Sequence, residues 1–248
     1  YKKLKFFIHG DGAMPYVIVP GAVPKAYAFI RFGIDSGNYY EYRRPLTRGW
    51  QDIEIDLSQL TAVKQARDTS INRERQVFPV PNDPDAVFAI KGYPILTRVQ
   101  FFGLGIFNPA ERFPNELTTR MWVNELRLIT PEESSDWAGL GNLSITLADL
   151  GRINATFETS QPNFHQLEQR FGNRSNSIKW SFTVDGNLEK FAPKSFAGMK
   201  LPIAYTHSEM MENPLYVANN DIYLNEAATT AYNNAIAEGK TPTEAAMI

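Results

Sequence analysis

The chain has 248 residues, of which 43% are hydrophobic and 21% charged, and its formal net charge is −2. This composition excludes a disordered chain, and the small net charge argues against a nucleic-acid-binding protein, which would carry a basic stripe. The sequence has no cysteine, so disulfides and thiolate metal sites are excluded. No window approaches the roughly 18 apolar residues of a membrane-spanning helix, although short amphipathic strands would escape that test.

Short strands separated by glycine and proline turns dominate the first half of the chain. The pattern predicts strands at 1–9, 26–34, 39–43, 50–57, 87–90, 96–106 and 120–128. In the clearest of them, Ile53 and Ile55 face one way while Asp52 and Glu54 face the other. About eight short strands with little helix predict a β-sandwich or jelly roll for residues 1–133.

Three further features of this half carry structural predictions. Residues 60–67 indicate a short helix with Ser58 as its N-cap. Residues 68–85 are charged and end in PVPNDPD, whose three prolines forbid a central strand, so we expect a surface loop. The glycines at 103 and 105 predict a bulge or bend in the strand that contains them.

A strict alternation of apolar and polar residues marks the stretch from Asn142 to Asp185. Its apolar positions are Leu143, Ile145, Leu147, Ile153, Phe157, Ile178, Trp180, Phe182 and Val184. Because successive side chains of a strand point to opposite faces, each run forms a ribbon with one apolar and one polar face. Two environments fit such a ribbon, namely a soluble sheet on a core and a barrel wall between lipid and water.

The connections between these runs are also predicted. A tight turn is expected at 149–151, and the polar segment 159–176 is expected to contain one or two helical turns at 163–171. Asp185-Gly186 is a possible hairpin turn, but the alternation continues through Gly186 and favours one long strand. Another strand is predicted at 201–205. We expect this region to cover residues 134–210.

The last part of the chain, residues 211–248, is predicted to be a loop followed by a helical insert. Apolar residues recur at helical spacing from Ala227 to Ile236, and Gly239 is a suitable C-cap. Thr241 then precedes a proline and is followed by Glu244, which is the pattern of a capping box at the start of a second helix.

The search for catalytic or metal-binding patterns favours neither an enzyme nor a cofactor site. The residues considered are His9, His165, His207, Asp52, Glu54, Asp56, Asn82, Asp83 and Asp85. The histidines have no ligand spacing and are expected to be surface or strand-end imidazoles. The acidic strand is expected to be a solvated face rather than a glycosidase pair or a calcium cage. The loop residues are typical of proline-rich turns, which collect Asn and Asp.

Aromatic side chains leave a binding role open. Trp50 and Trp122, with the tyrosines at 39, 40 and 42, have the composition of a sugar-stacking platform, although aromatics in a sandwich more often belong to the core or the sheet surface. A secreted carbohydrate-binding sandwich is therefore an alternative function. Trp180 and the tyrosines at 205, 216 and 223 have the composition of an interfacial aromatic belt.

Residues 122–206 carry a family resemblance. The segments WVNELRL (122–128), WAGLGNLSITLADLG (137–151), the insert around FHQLEQR and NRS (164–175), and KFAPKSFAGMKLPIAY (190–205) resemble the SprA/Sov family. That family comprises the outer-membrane translocons of the type IX secretion system of Bacteroidetes. The chain begins at Tyr1 rather than Met, so we expect a fragment or processed product of such a protein.

The resemblance implies a fold, a location and partners that the pattern alone does not show. It implies an all-β chain, a jelly-roll-like β-sandwich followed by antiparallel amphipathic strands of a very large transmembrane β-barrel, with a short helical tail. The implied function is a protein-conducting channel of the outer membrane, connected with secretion and gliding motility and without catalytic residues. The implied partners are membrane lipid, secreted cargo with C-terminal sorting domains, and lateral-gate shuttle and plug proteins.

On this interpretation the nine apolar positions listed above face lipid. The charged residues Arg152, Glu158 and Lys179 then lie on the polar face, away from lipid, as the cost of burying charge requires. Asp149 is the exception because it is in phase with Leu147. It fits the interpretation if the strand has already turned or reached the membrane interface.

Overall fold

A computed structural model describes residues 1–19, 23–109, 117–131, 133, 135–169, 172–193, 195 and 198–247. The chain divides into two compact units, and the paired strands in both are antiparallel. Unit 1 contains Tyr1–Glu132 and Asn219–Ile222, and unit 2 contains Glu133–Ala218 and Tyr223–Ile248. The chain is therefore mostly β structure with few helices, as the strand patterns predicted.

Within its described residues, unit 1 contains eight strands and one α-helix. The strands are β1 (Lys3–Gly10), β2 (Tyr27–Asp35), β3 (Asn38–Pro45), β4 (Gly49–Asp56), β5 (Gln76–Val80), β6 (Asp83–Lys91), β7 (Phe101–Phe107) and β8 (Met121–Ile129). The helix α1 spans Leu57–Ala66, and short 3-10 turns lie at Thr69–Ile71 and Leu96–Arg98. One sheet has the order β4-β1-β8 and the other the order β5-β6-β3-β2-β7.

The two sheets of unit 1 share one hydrophobic core. In β1 every second side chain is buried, and Phe6 lies opposite Ile53 of β4 in the strand register. The same cluster contains Ile30 from β2 and Phe88 from β6, so it is built from the inner faces of both sheets. Leu60 of α1 also belongs to it. Alternation with one buried face per sheet is the pattern of a β-sandwich.

The strand pairing of the sandwich is nested. β1 pairs with β8, β2 with β7 and β3 with β6, an arrangement that resembles the rolled double ribbon of a jelly roll. It departs from that arrangement at the end of the ribbon, because β4 pairs with β1 and β5 with β6.

The prediction of a surface loop over 68–85 is wrong for its second part. Residues 76–80 form β5, and β6 already begins at Asp83. Among the described strands β5 pairs with β6 alone, so it lies at the edge of its sheet. An edge strand tolerates Pro79 because one side of it makes no ladder hydrogen bonds. Pro84 lies in β6, an interior strand, but it precedes the ladder with β3, which begins at Val87. The prolines therefore excluded neither an edge strand nor the first residues of an interior strand.

Three other details of unit 1 differ from expectation. The N-cap of α1 is Asp56 rather than Ser58, because the Asp56 carboxylate accepts a hydrogen bond from the Ser58 N–H at 2.9 Å. The predicted strand at 96–106 begins only at Phe101. Its glycines cause no bulge, since the β2–β7 register is continuous. Gly105 instead leaves room for the Phe29 ring, which a Cβ would meet at 3.0 Å.

The described residues of unit 2 form a four-stranded meander followed by two helices. The strands are β9 (Ala138–Leu147), β10 (Gly151–Ser160), β11 (Ser175–Asn187) and β12 (Pro202–Pro214), in the order β12-β11-β10-β9. A 3-10 turn lies at Leu188–Phe191, and the helices are α2 (Leu224–Ala237) and α3 (Pro242–Ala245). The predicted capping box of Thr241 and Glu244 is present at the start of α3.

The structure settles three predictions about the connections in unit 2. β11 continues through Gly186, so the long strand is confirmed and the hairpin turn is not formed. The helical turns expected at 163–171 are absent from the described residues of that range, which form separate turns. Leu167 is fully exposed there, so a helix would lack the packed apolar face that stabilises short helices. The expected strand at 201–205 is longer and runs to Pro214.

Candidate functional site

The register of the four-stranded sheet in unit 2 places all nine predicted apolar residues on one face. Ile145, Ile153 and Val184 form one cross-strand row, and Leu143 and Phe182 lie in the next row. Phe157 and Trp180 are opposite each other in the following row. Leu147 and Ile178 lie an even number of residues from these positions along their strands, so they point to the same face. β12 extends this face with Ile203, Tyr205 and Met211. We call this surface the apolar face.

The opposite face is polar and carries hydrogen bonds between strands. Ser144 Oγ donates to Asn154 Oδ1 at 2.8 Å, and the hydroxyls of Thr156 and Ser181 are 2.5 Å apart. Its charged residues are neighbours of opposite sign in the register, with Arg152 opposite Asp185 and Glu158 opposite Lys179. These two pairs balance in charge. We call this surface the polar face.

The apolar face is not covered by the described part of the chain. Leu143 is 55% exposed, Phe157 48% and Ile203 45%. Both outer strands, β9 and β12, pair on one side only among the described residues, so the sheet has two open edges. A large exposed apolar surface marks contact with another apolar phase or partner, and open edges accept further strands.

The apolar face includes two polar side chains on β12. His207 lies in the row of Phe182, and Glu209 is opposite Trp180, so two polar side chains sit near the middle of this strand. The His207 ring lies 5.0 Å from the Trp180 ring. The continuous apolar surface is therefore formed by β9 to β11 and by the Ile203 end of β12.

Asp149 lies outside the alternation because β9 ends at Leu147. A hydrogen bond from the Leu150 N–H to the Leu147 carbonyl closes the turn, and Ala148 has a φ of 46°. The Asp149 carboxylate contacts Lys190 Nζ at 2.7 Å, and this hydrogen bond and charge lower the pKa of Asp149. Lys190 belongs to the connection 188–201 at the same end of the sheet, so that end carries one short and one long connection.

The aromatic residues of unit 1 separate into two groups. Trp50 and Trp122 come together on the outer face of the three-stranded sheet, each with its ring 5.0 Å from the ring of His9. The tyrosines at 39, 40 and 42 are all buried in unit 1, so they form no platform with the tryptophans. Two of them, Tyr40 and Tyr42, belong to the sandwich core.

Two of the three carboxylates predicted to be a solvated face are paired with lysines, while Asp56 caps α1. Lys5 Nζ lies 2.9 Å from Asp52, and Lys3 Nζ lies 2.5 Å from Glu54. Among the described residues, no group of three or more His, Asp or Glu side chains is placed to hold a metal ion. In the proline-rich turn, Asn82 has a φ of 65°, which is a backbone conformation that Asn tolerates in turns.

Sequence reasoning missed a buried carboxylate in the five-stranded sheet. Glu41 is 0% exposed, and its oxygens contact Arg31 at 2.6 Å, Arg75 at 2.5 Å and Arg43 at 2.9 Å. Burial acts to raise the pKa of Glu41, but the arginine hydrogen bonds and charges outweigh it and the pKa is lowered. Arg75 lies in the segment that was predicted to be a loop, so its contact with Glu41 was not foreseen.

A second buried network involves Asp221, from the short segment that returns to unit 1. The Asp221 carboxylate accepts hydrogen bonds from Lys64 Nζ at 2.7 Å, from the Tyr40 hydroxyl at 2.9 Å and from the Leu96 N–H at 2.8 Å. Burial lowers the pKa of Lys64 and raises that of Tyr40. Local patterns give no signal for this network, because Asp221 is 157 residues from Lys64.

A comparison with protein-family models gives a match over most of the chain. None of the helices within the described residues has the length and apolar character needed to cross a membrane. A family model, SprA_N, described as a motility related/secretion protein, matches residues 1–228. No curated protein matches the chain. The matched range contains every strand from β1 to β12.

Proposed function

The chain belongs to the SprA_N family of motility-related secretion proteins, and we propose that it forms part of a protein-conducting channel in the outer membrane. In this proposal β9 to β12 are a section of the wall of a large β-barrel. Unit 1 is a β-sandwich formed mainly by the part of the chain that precedes these strands. The channel passes folded cargo and carries out no chemical step.

One observation carries the proposal: the sheet of unit 2 has an apolar face that the described chain leaves exposed, backed by a polar face. In a barrel wall, the apolar face contacts lipid and the polar face lines the water-filled lumen. β9 and β10 have 10 residues each and β11 and β12 have 13, while a spanning strand needs about 9–11 residues. The strands are therefore long enough to cross the hydrocarbon layer.

The charge distribution supports the same orientation. An Arg or Lys on the lipid face costs about 2–4 kcal/mol at mid-membrane. Arg152 and Lys179 lie on the polar face, and the ion pair of Asp149 with Lys190 lies at the turn end of the sheet. Because Glu209 interrupts the row of apolar side chains on β12, we assign the lipid contact to β9–β11 and to the Ile203 end of β12.

The open edges of β9 and β12 imply further strands. Unpaired strand edges cannot be exposed to lipid, because their N–H and C=O groups would have no hydrogen-bond partners. We propose that strands of the same protein continue the wall on both sides. Secreted cargo with C-terminal sorting domains, and shuttle and plug proteins at the lateral gate, are the partners that such a channel requires.

The orientation is tested by cysteine scanning, since the sequence contains no native cysteine in this region. Single cysteines replace Leu143, Ile145 and Phe182 on the apolar face, and the matched controls Ser144, Thr146 and Thr183 on the polar face. Each receives a nitroxide label in the protein embedded in outer-membrane vesicles. Electron paramagnetic resonance then measures collisions with oxygen, which concentrates in lipid, and with a water-soluble nickel chelate.

We expect a period of two along each strand. Labels on the apolar face collide mainly with oxygen, and labels on the polar face collide mainly with the nickel chelate. Equal nickel accessibility on both faces would contradict the barrel-wall assignment. Protection of both faces from both reagents would contradict it as well, because the sheet would then lie within a protein core.

A further inference from the structure

We propose that the outer face of the three-stranded sheet in unit 1 binds a neutral polysaccharide. The site is a row of three rings, formed by His9, Trp50 and Trp122, which we call the aromatic strip. This inference is independent of the channel assignment, because it concerns a different unit and a different surface.

The sheet register aligns the three rings across neighbouring strands. His9 in β1 is opposite Trp50 in β4 and opposite Trp122 in β8. The adjacent residue of β1, Ile8, is buried in the core, so the aromatic strip lies on the outer face. The His9 ring is 5.0 Å from each indole, and it is inclined by 65° to Trp50 and by 69° to Trp122.

The indoles of the aromatic strip are unusually exposed. Trp50 is 58% exposed and Trp122 is 48% exposed, while the His9 Nδ1 atom is shielded and makes no hydrogen bond with any described residue. Two large aromatic surfaces held by one sheet with a ring between them form a preordered apolar platform. The apolar C–H face of a pyranose ring fits such a surface, because an aromatic side chain buries much apolar area while only two torsions become fixed on binding.

Polar groups border the aromatic strip on the same face. Asp52 and Asn124 flank Phe7 in the next row of the same parity, and Glu54 flanks Lys5 beyond them. Carboxylate and amide side chains are suitable hydrogen-bond partners for sugar hydroxyl groups. An apolar platform with a few polar groups at its margin is the usual composition of a small-ligand site.

The charges of this face favour a neutral ligand. Lys5 is paired with Asp52, Lys3 with Glu54 at 2.5 Å, and Arg127 lies 3.5 Å from Glu125. With the cations paired in this way, the face lacks the unpaired positive stripe that attracts nucleic acids or other polyanions. Beyond the aromatic strip and Phe7 the ion pairs make this face charged, so its apolar part is narrow, which suits an extended chain of sugar rings better than a broad protein interface.

The test uses the whole 248-residue chain and isothermal titration with three probes. These are the hexasaccharides of β-1,4-linked glucose and of β-1,4-linked N-acetylglucosamine, and dextran. We expect saturable binding of at least one probe, weakened at least tenfold in Trp50→Ala and in Trp122→Ala and only slightly in Trp50→Phe. Trp137→Ala is the matched control, since Trp137 is 57% exposed but lies outside the aromatic strip.

Circular dichroism shows whether each variant is folded, and we expect no change because both indoles lie outside the core. Failure of all three probes to bind at millimolar concentration would overturn the proposal. Binding that survives both Trp→Ala substitutions, or that is lost equally in Trp137→Ala, would also overturn it. Binding to lipid vesicles without binding to any saccharide would assign the aromatic strip to a membrane contact instead.

Discussion

The sheets of the two units carry the same alternation of apolar and polar residues but use it differently. In β1 the alternate side chains Leu4, Phe6 and Ile8 are buried against the second sheet of the sandwich. In β9 the alternate side chains Leu143, Ile145 and Leu147 remain between 41% and 55% exposed. Alternation therefore determines that a strand has two unlike faces. It does not determine which phase covers the apolar face.

Truncation of one aromatic residue in each unit provides the largest expected difference. Phe6 is 2% exposed and Phe157 is 48% exposed. Phe6→Ala leaves a cavity between two sheets and is expected to reduce the free energy of unfolding of the sandwich by about 3–5 kcal/mol. Phe157→Ala in detergent-free urea is expected to change the stability of unit 2 by about 0.5 kcal/mol or less.

Tryptophan fluorescence separates the two transitions during urea unfolding. When Trp137→Phe and Trp180→Phe remove the tryptophans of unit 2, the fluorescence of Trp50 and Trp122 reports on unit 1. When Trp50→Phe and Trp122→Phe are made instead, the fluorescence of Trp137 and Trp180 reports on unit 2. A cost for Phe157→Ala as large as that for Phe6→Ala would show that the apolar face is covered by protein, and it would remove the contrast between the units.

The comparison also shows which parts of the fold the sequence predicts. Strands with local alternation, such as β4 and β11, were predicted well because apolar and polar residues alternate between adjacent positions of the sequence. β5 was missed because its signal was weak and Pro79 argued against it, while its stability comes from pairing with β6. The helical turns expected at 163–171 failed for the opposite reason, since a local helical pattern had no surface to pack on.

In the candidate sites, too, local patterns were predicted and contacts between distant parts of the sequence were not. Spacing assigned the nine apolar positions of unit 2 to one face within each run, and the register places all of them on the same face of the sheet. Spacing did not predict that His9 lies between Trp50 and Trp122, because that row joins three strands from distant parts of the sequence. The contacts of Glu41 and Asp221 were not predicted for the same reason.

Ion pairs give the next contrast, with a smaller expected effect. Glu41→Gln removes the charge that three arginines share, and we expect a loss of about 3 kcal/mol in the unfolding free energy of the sandwich at pH 7. The pKa of Glu41 is lowered in the folded state, so the carboxylate stabilises the fold above its unfolded pKa and this contribution is lost as the pH falls through the lowered value. Glu41→Gln should therefore flatten the decline of stability in acid.

Asp149→Asn is the matched control for an exposed pair. Asp149 contacts Lys190 at 2.7 Å, but its side chain is 69% exposed. Because solvent and salt screen exposed pairs, we expect no measurable change in the urea midpoint of unit 2. Urea titrations of both variants at pH 3, 5 and 7 check this prediction. An acid dependence that is identical in Glu41→Gln and the parent chain would remove the proposed role of Glu41.

The tyrosines give the smallest expected difference in the free energy of unfolding, and it appears only at alkaline pH. Tyr42 is buried in the core of the sandwich, and burial raises its pKa to about 12. A raised folded pKa means that the stabilisation is complete below the unfolded value near 10 and is lost as the pH rises through 12. Between pH 9 and pH 11.5 the loss due to Tyr42 should be about 2 kcal/mol, since each pKa unit corresponds to about 1.4 kcal/mol.

Tyr42→Phe isolates this contribution because the other titrating groups of the core are present in both proteins. The variant loses the hydrogen bond from the Tyr42 hydroxyl to Asp83, so a small constant offset is expected at every pH. The decline between pH 9 and pH 11.5 should nevertheless be shallower than in the parent chain. Tyr205→Phe, at a tyrosine that is 59% exposed on β12, controls for the loss of a hydroxyl group. If the two variants show the same alkaline slope, the environment of Tyr42 does not differ from that of an exposed tyrosine, and the contrast between a filled core and an open face fails at this position.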